Sequence, residues 1–255
     1  MMTGRKVYFL YPNQMVKDLI KEIIRYEYEI YIIDNHLALK KLLRLNKNAI
    51  VFINIEERLK EEEWELYIKD ILSNPDTKET GIGILTYFDR NQALTEKYLL
   101  EMGITCGYIR LKTSIEKCRD IILRTLDANE ARGRRRFVRG MCNSRIDTFN
   151  LYHGGSRYNG KILDISIAGF ACYFEDVPPK VEVGLLLKDI QLILRGIRCK
   201  VDGHVIRIDH RQNDYDVYII IFDQGTIIPA VRNKIHDFIF LCFQSMLEQE
   251  IKQLS

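Results

Sequence analysis

The chain has 255 residues and a formal net charge of +3; 47% of its residues are hydrophobic and 29% charged. That is the composition of one or two folded domains with length enough for a core, and it excludes disordered, collagen-like and low-complexity classes. A pI of about 8.4 is too mild for a protein that coats nucleic acid over its whole surface.

Two further classes drop out before any element is placed. No run of about 18 apolar residues occurs, so no membrane insertion is expected. The opening MMTGRKVYFLYPNQ lacks the apolar core of a secretory leader. The cysteines Cys106, Cys118, Cys142, Cys172, Cys199 and Cys242 form no CxxC pair. Reduced thiols in a cytoplasmic protein are expected, with neither a metal nor a disulfide framework.

From residue 5 to about 130, short apolar runs alternate with helical patterns. The runs are KVYFLY, YEIYII, AIVFINI, GIGILTY and ITCGYI. Between them, Val16, Leu19, Ile20, Ile23 and Ile24 place one apolar stripe on a first helix, and Leu39, Leu42 and Leu43 on a second. Asp70-Ile71-Leu72 and Leu99-Leu100 mark two more. A fifth helix is predicted to start at Thr113, with Glu116 three residues on as a capping box. Five β-α repeats predict an α/β unit over 1–130 with a doubly wound parallel sheet, whose ligands would sit at the carboxyl ends of the strands.

By length and pattern this half resembles a receiver domain of the response-regulator kind. The resemblance implies clustered carboxylates at the strand ends, because Mg²⁺ takes hard oxygen ligands and the phosphoryl acceptor is an aspartate. Here the first strand ends in Tyr11-Pro12-Asn13. The third ends in Asn54, where the acceptor would stand, with Glu56 following. Thr86 fits the family's hydroxyl position and Lys112 is loosely placed as its lysine. The half is therefore expected to be receiver-like but phosphorylation-dead, with Glu56 as the alternative acceptor.

Residues 131–140 form a linker containing RGRRRFVRG. Over 141–255 the pattern changes to closely spaced strands: RIDTFNLY, a turn-rich HGGSRYNG, then KILDISI, GFACYF, LKDIQLIL, IRCKVDGHVIRI and DVYIIIF. A small antiparallel barrel is expected. A terminal helix should begin near Pro229, with Val231, Ile235, Phe238, Cys242, Met246 and Leu247 forming a stripe that lids the barrel. His153, His204, His210 and His236 show no ligand or triad spacing and read as surface or turn residues.

Two motifs frame the barrel. Arg135 and Arg139 make R-x-x-x-R, with Arg134 doubling the first arginine. Asp164, Ser166 and Gly169 make D-x-S-x-x-G about 25 residues later. An arginine fork pairs with phosphate, bonds guanine O6 and N7 together, and stacks on a base. A carboxylate accepts from the N–H groups of guanine. Alone, RGRRRFVRG could also be a solvated linker or a nucleic-acid arm. The ordered pair of motifs resembles the signature of PilZ domains, over about residues 132–250. That resemblance implies a receptor for cyclic di-GMP and no enzyme. Its ligand-binding residues would be Arg134, Arg135, Arg139, Asp164, Ser166 and Gly169, with no catalytic residue, metal or cofactor. It further implies coupling to an unidentified protein partner in motility, adhesion or envelope control. A PilZ scaffold that acts only through protein contacts is the alternative, and a nucleic-acid module is disfavoured by the low net charge. Arg132 and Arg136 are expected to be solvated bystanders.

Overall fold

The computed structural model describes residues 4–88, 92–175, 177–210 and 215–254. Packing separates two compact units: Met1–Arg136 together with Gln244–Ser255, and Phe137–Phe243.

The first unit is built on a five-stranded parallel sheet. Its elements are β1 (Val7–Leu10), α1 (Gln14–Ile23), β2 (Ile30–Ile33), α2 (His36–Leu45), β3 (Ile50–Asn54), α3 (Glu61–Ser73), β4 (Gly81–Thr86), α4 (Gln92–Glu96, continued by a π-helical turn Lys97–Glu101), β5 (Tyr108–Arg110) and α5 (Ile115–Ala128). The strand order is β2-β1-β3-β4-β5. Strands β1, β3 and β4 are buried throughout, as sheets covered by helices on both faces require. The stripes predicted for the first two helices are the ones they bury: Val16, Leu19, Ile20 and Ile23 on α1, and Leu39, Leu42 and Leu43 on α2. Asn13 and Asn35 start these helices by accepting from Val16 N–H (3.0 Å) and Ala38 N–H (2.9 Å). The cap of α5 is Ser114, whose hydroxyl accepts from Lys117 N–H, one residue beyond the expected Thr113.

The second unit contains β6 (Gly140–Met141), β7 (Thr148–His153), β8 (Ser156–Ser166), β9 (Gly169–Phe174), β10 (Leu186–Leu194), β11 (Ile197–His210), β12 (Asp216–Phe222) and the start of α6 (Pro229–Gln253). Strands run β6-β8-β7-β10-β11-β12-β9, and β9 pairs back onto β8. Six antiparallel strands thus close into a barrel, with β6 added along β8. Phe149 meets Phe170 and Phe174 in its interior, and Phe174 meets Tyr218.

The β7–β8 hairpin is tighter than the sequence implied. Only Gly154 and Gly155 turn, both at positive φ (57° and 81°), which suits the two-residue hairpin loop whose twist matches the strands. The segment SRYN therefore pairs rather than loops, with Arg157 opposite Tyr152 and Asn159 opposite Asn150.

The terminal helix also departs from expectation. At 25 residues it is roughly 37 Å long. Ile235, Phe238, Ile239 and Cys242 are buried with the barrel unit, where Gly140 approaches Cys242 and Ile239. From Gln244 onward the helix groups with the α/β unit. There Gln244 accepts from Ile32 N–H (3.2 Å), Glu250 pairs with Lys6 (2.8 Å) and Lys41 donates to Leu254 C=O. Leu247, expected in the barrel lid, is buried in this other group. His236 is buried too, because it lies beside Ile235 on the inner face of α6; the surface reading stands corrected.

All six cysteines are free. Burial pushes the Cys142 and Cys172 thiols up, and that of Cys242 up to about 12. They stay protonated at neutral pH and act as packing groups.

Asp147, which no motif singled out, is fully buried at the start of β7. Its carboxylate accepts from Asn143 N–H (2.7 Å) and from Arg195 N–H in the β10–β11 turn (2.9 Å). Asp147→Ala strands both amides, at roughly 1–3 kcal/mol each. Urea denaturation should show a fall in midpoint larger than for Arg145→Ala, an exposed neighbour.

Candidate ligand-binding site

The two sequence motifs meet at β6 and β8. Arg139 directly precedes β6, whose Met141 pairs with Asp164 of β8. The Arg139 guanidinium donates to the Asp164 carboxylate, Nη1 to Oδ1, at 3.2 Å. Both groups reach solvent, Arg139 being 44% and Asp164 22% exposed, so this is an open ion pair that a ligand can enter.

Asp164 points outward because β8 is irregular. Gly160 and Ile162 face the core, and strict alternation would send Asp164 after them. A register shift between Ile162 and Asp164 in the β8–β9 pairing reverses the parity. Ile165 then turns inward beside Phe170, and Asp164 turns out. Re-aiming a side chain in this way is a common use of a β-bulge.

Strand pairing extends the row sideways. Asp164 lies opposite Ala171 on β9, Ala171 opposite Ile219 on β12, and Ile219 opposite Arg207 on β11. These residues alternate with the inward Phe170 and Ile220, so they share the outer face. A second shift, between Val205 and Arg207, precedes the far end of the row. From carboxylate to far arginine the row crosses three inter-strand steps of about 4.8 Å. Its middle is low and apolar, and its ends carry charge.

Ser166 and Gly169 do different work from Asp164. Ser166 is buried. Its hydroxyl accepts from Ala168 N–H (3.2 Å) and donates to Gly169 C=O (3.3 Å), closing the turn between β8 and β9. A Cβ on Gly169 would lie 2.1 Å from Ile220 O and 2.8 Å from Ile221 Cα. The glycine lets β9 approach β12, a close backbone contact that any side chain would block. Both residues position the turn beside Asp164.

The linker arginines divide. Arg134 and Arg135 are exposed in non-regular backbone of the first unit, and among the described residues neither has a hydrogen-bond or ion-pair partner. Arg132 is exposed, and its guanidinium lies 5.1 Å over the Tyr28 ring and pairs with Asp127 at 3.5 Å. Tyr28 OH donates to the same carboxylate at 2.6 Å. Arg136 is exposed. Among the described residues no group of three or more His, Cys, Asp or Glu is arranged to hold a metal ion, and no helix is long and apolar enough to cross a membrane.

Removing the Ser166 hydroxyl or filling the space at Gly169 should weaken the barrel. Ser166→Ala and Gly169→Ala should each lower stability by about 1–3 kcal/mol, read by urea denaturation. Asp164→Ala, at an open ion pair, should change it by about 1 kcal/mol or less.

Residues 133–241 match the PilZ domain family. No curated protein matches the chain. Among solved structures, the chain is similar to the PilZ domain with c-di-GMP of YcgR from Escherichia coli, at 20% identity and a TM-score of 0.38, over 47% of this chain and 95% of that one. It is similar to the K. pneumonia MrkH–c-di-GMP complex at 22% identity and a TM-score of 0.39, over 47% of this chain and 55% of that one. It is also similar to the Mn²⁺-bound response regulator Rcp1, at 14% identity and a TM-score of 0.38, over 48% and 92%. The chain spans only about half of the longer relatives, 48% in the case of YcgR in its c-di-GMP complex. With the Arg139–Asp164 pair and the D-x-S-x-x-G turn both inside the matched span, this chain carries a PilZ domain at residues 133–241.

Proposed function

We propose that this chain is a cytoplasmic effector that binds cyclic di-GMP. The observation that carries this reading is the exposed Arg139–Asp164 pair, held on the outer face of a PilZ barrel by the bulge in β8. In the bound state the Asp164 carboxylate accepts from the N–H edge of one guanine. Arg139, Arg135 and Arg134 supply phosphate contacts, bonds to guanine O6 and N7, and a flat face for stacking. Ile219, partly exposed beside the buried Ala171, offers an apolar floor for base and ribose. Ser166 and Gly169 contribute by holding the turn that fixes Asp164.

The role is recognition, not catalysis. Ordering the 131–140 linker on the dinucleotide would change the constraint between the α/β unit and the barrel unit, a disorder-to-order switch of a familiar kind. The output is altered binding of a protein partner, in motility, adhesion or envelope control.

Isothermal titration of the full chain with cyclic di-GMP tests the site. Saturable binding is expected, with one or two dinucleotides per chain. Arg135→Ala, Arg139→Ala and Asp164→Ala should each weaken it about tenfold or more, the size expected for a lost hydrogen bond to a charged group. GTP should not compete. Absence of binding at tens of micromolar, or wild-type affinity in all three variants, overturns the proposal. Binding of DNA or RNA that falls steeply with salt and ignores Asp164 would favour the nucleic-acid reading instead.

A further inference from the structure

At the carboxyl end of the parallel sheet, where α/β units usually receive ligands, the chain's own side chains occupy the crevice. Thr86 ends β4. Its hydroxyl donates to Glu56 Oε1 at 2.6 Å, in preference to a longer contact with Phe88 C=O at 3.3 Å. Tyr87 N–H donates to the same oxygen at 2.6 Å, and Phe88 N–H at 2.8 Å. Three donors thus converge on one point in space. Two of them are consecutive backbone amides, the arrangement of an anion-binding concavity, and the convergence is that of an oxyanion hole.

The carboxylate is delivered to that point by the neighbouring strands. Asn54, the last residue of β3, is buried. It donates its amide N–H to Tyr11 C=O beyond β1 at 3.0 Å and accepts from Glu56 N–H at 3.3 Å. Asn54 therefore fastens the end of β1 to the start of the β3–α3 loop, and Glu56 fastens that loop to the end of β4. Neither link is a strand-pairing bond.

We propose that Thr86, Tyr87 and Phe88 form an oxyanion site of phosphate type, and that Glu56 is its resident anion. The Thr86 hydroxyl and the Tyr87 and Phe88 amides are then held permanently in a liganded arrangement. External phosphate is excluded by charge and by occupancy, and phosphoryl donors do not act on this unit. The site is independent of the dinucleotide site on the barrel, and its failure leaves that reading untouched.

The test uses the full chain and inorganic phosphate. In wild type the Tyr87 and Phe88 amide protons should exchange slowly, although their residues are 43% and 61% exposed. Their ¹⁵N–¹H signals should not move with phosphate at constant ionic strength, and acetyl phosphate with Mg²⁺ should leave the intact mass unchanged. In Glu56→Ala the same two signals should shift saturably with phosphate, and adding Thr86→Val should abolish that shift. Fast exchange of the two amides in wild type overturns the proposal, whether or not the variants fold. So does a folded Glu56→Ala that ignores phosphate, a wild type that responds as the variant does, or a phosphoryl mass gain on residues 1–130.

Discussion

The barrel depends on how β8 is paired. One strand of 11 residues meets β7 along its first half, β6 near its end and β9 along the opposite edge. Closure forces β8 to serve both edges, and the register shift before Asp164 is where the two demands are reconciled. The same irregularity that lets the barrel close moves a carboxylate from the core to the surface. Barrel pairing and the exposure of Asp164 therefore share one backbone feature. The turn that follows, held by the Ser166 hydroxyl and by the missing side chain of Gly169, keeps that feature in place.

The two units treat negative charge in opposite ways. On the barrel, a carboxylate stands beside one arginine, and two further arginines lie close by in sequence, exposed and without partners among the described residues. At the carboxyl end of the parallel sheet the donors already have their anion, supplied two residues after β3.

Much of this was legible in the sequence. The apolar stripes of α1 and α2 and the five buried runs fixed the α/β order, because helical and strand periods differ and each was cleanly kept. The arginine and D-x-S-x-x-G motifs pointed at Arg139 and Asp164. What stayed hidden arose from non-local packing. The bulge in β8 leaves no mark on a pattern that already reads as strand. The inward hydroxyl of Ser166 depends on the turn it makes. Asp147 looked like any strand-end aspartate until its two amide donors were brought from different loops. Glu56 stood out only as an acid near the expected acceptor position. Its three donors come from the end of β4 and the two residues after it, some 30 residues away, as the Thr86–Glu56 separation shows. The division of α6 was not legible either, because its apolar stripe runs through Leu247 without a break.

That division has a consequence for biogenesis. Residues Gln244–Ser255 belong with Met1–Arg136, so the α/β unit is discontinuous in sequence and the barrel lies between its two pieces. During synthesis the sheet leaves the ribosome before the barrel, yet its last helical turns arrive only after the whole barrel has been made. Lys6, in place from the beginning, waits for Glu250. The chain is thus nested rather than strung as beads, and cutting it at the arginine linker would separate the sheet from part of its own fold.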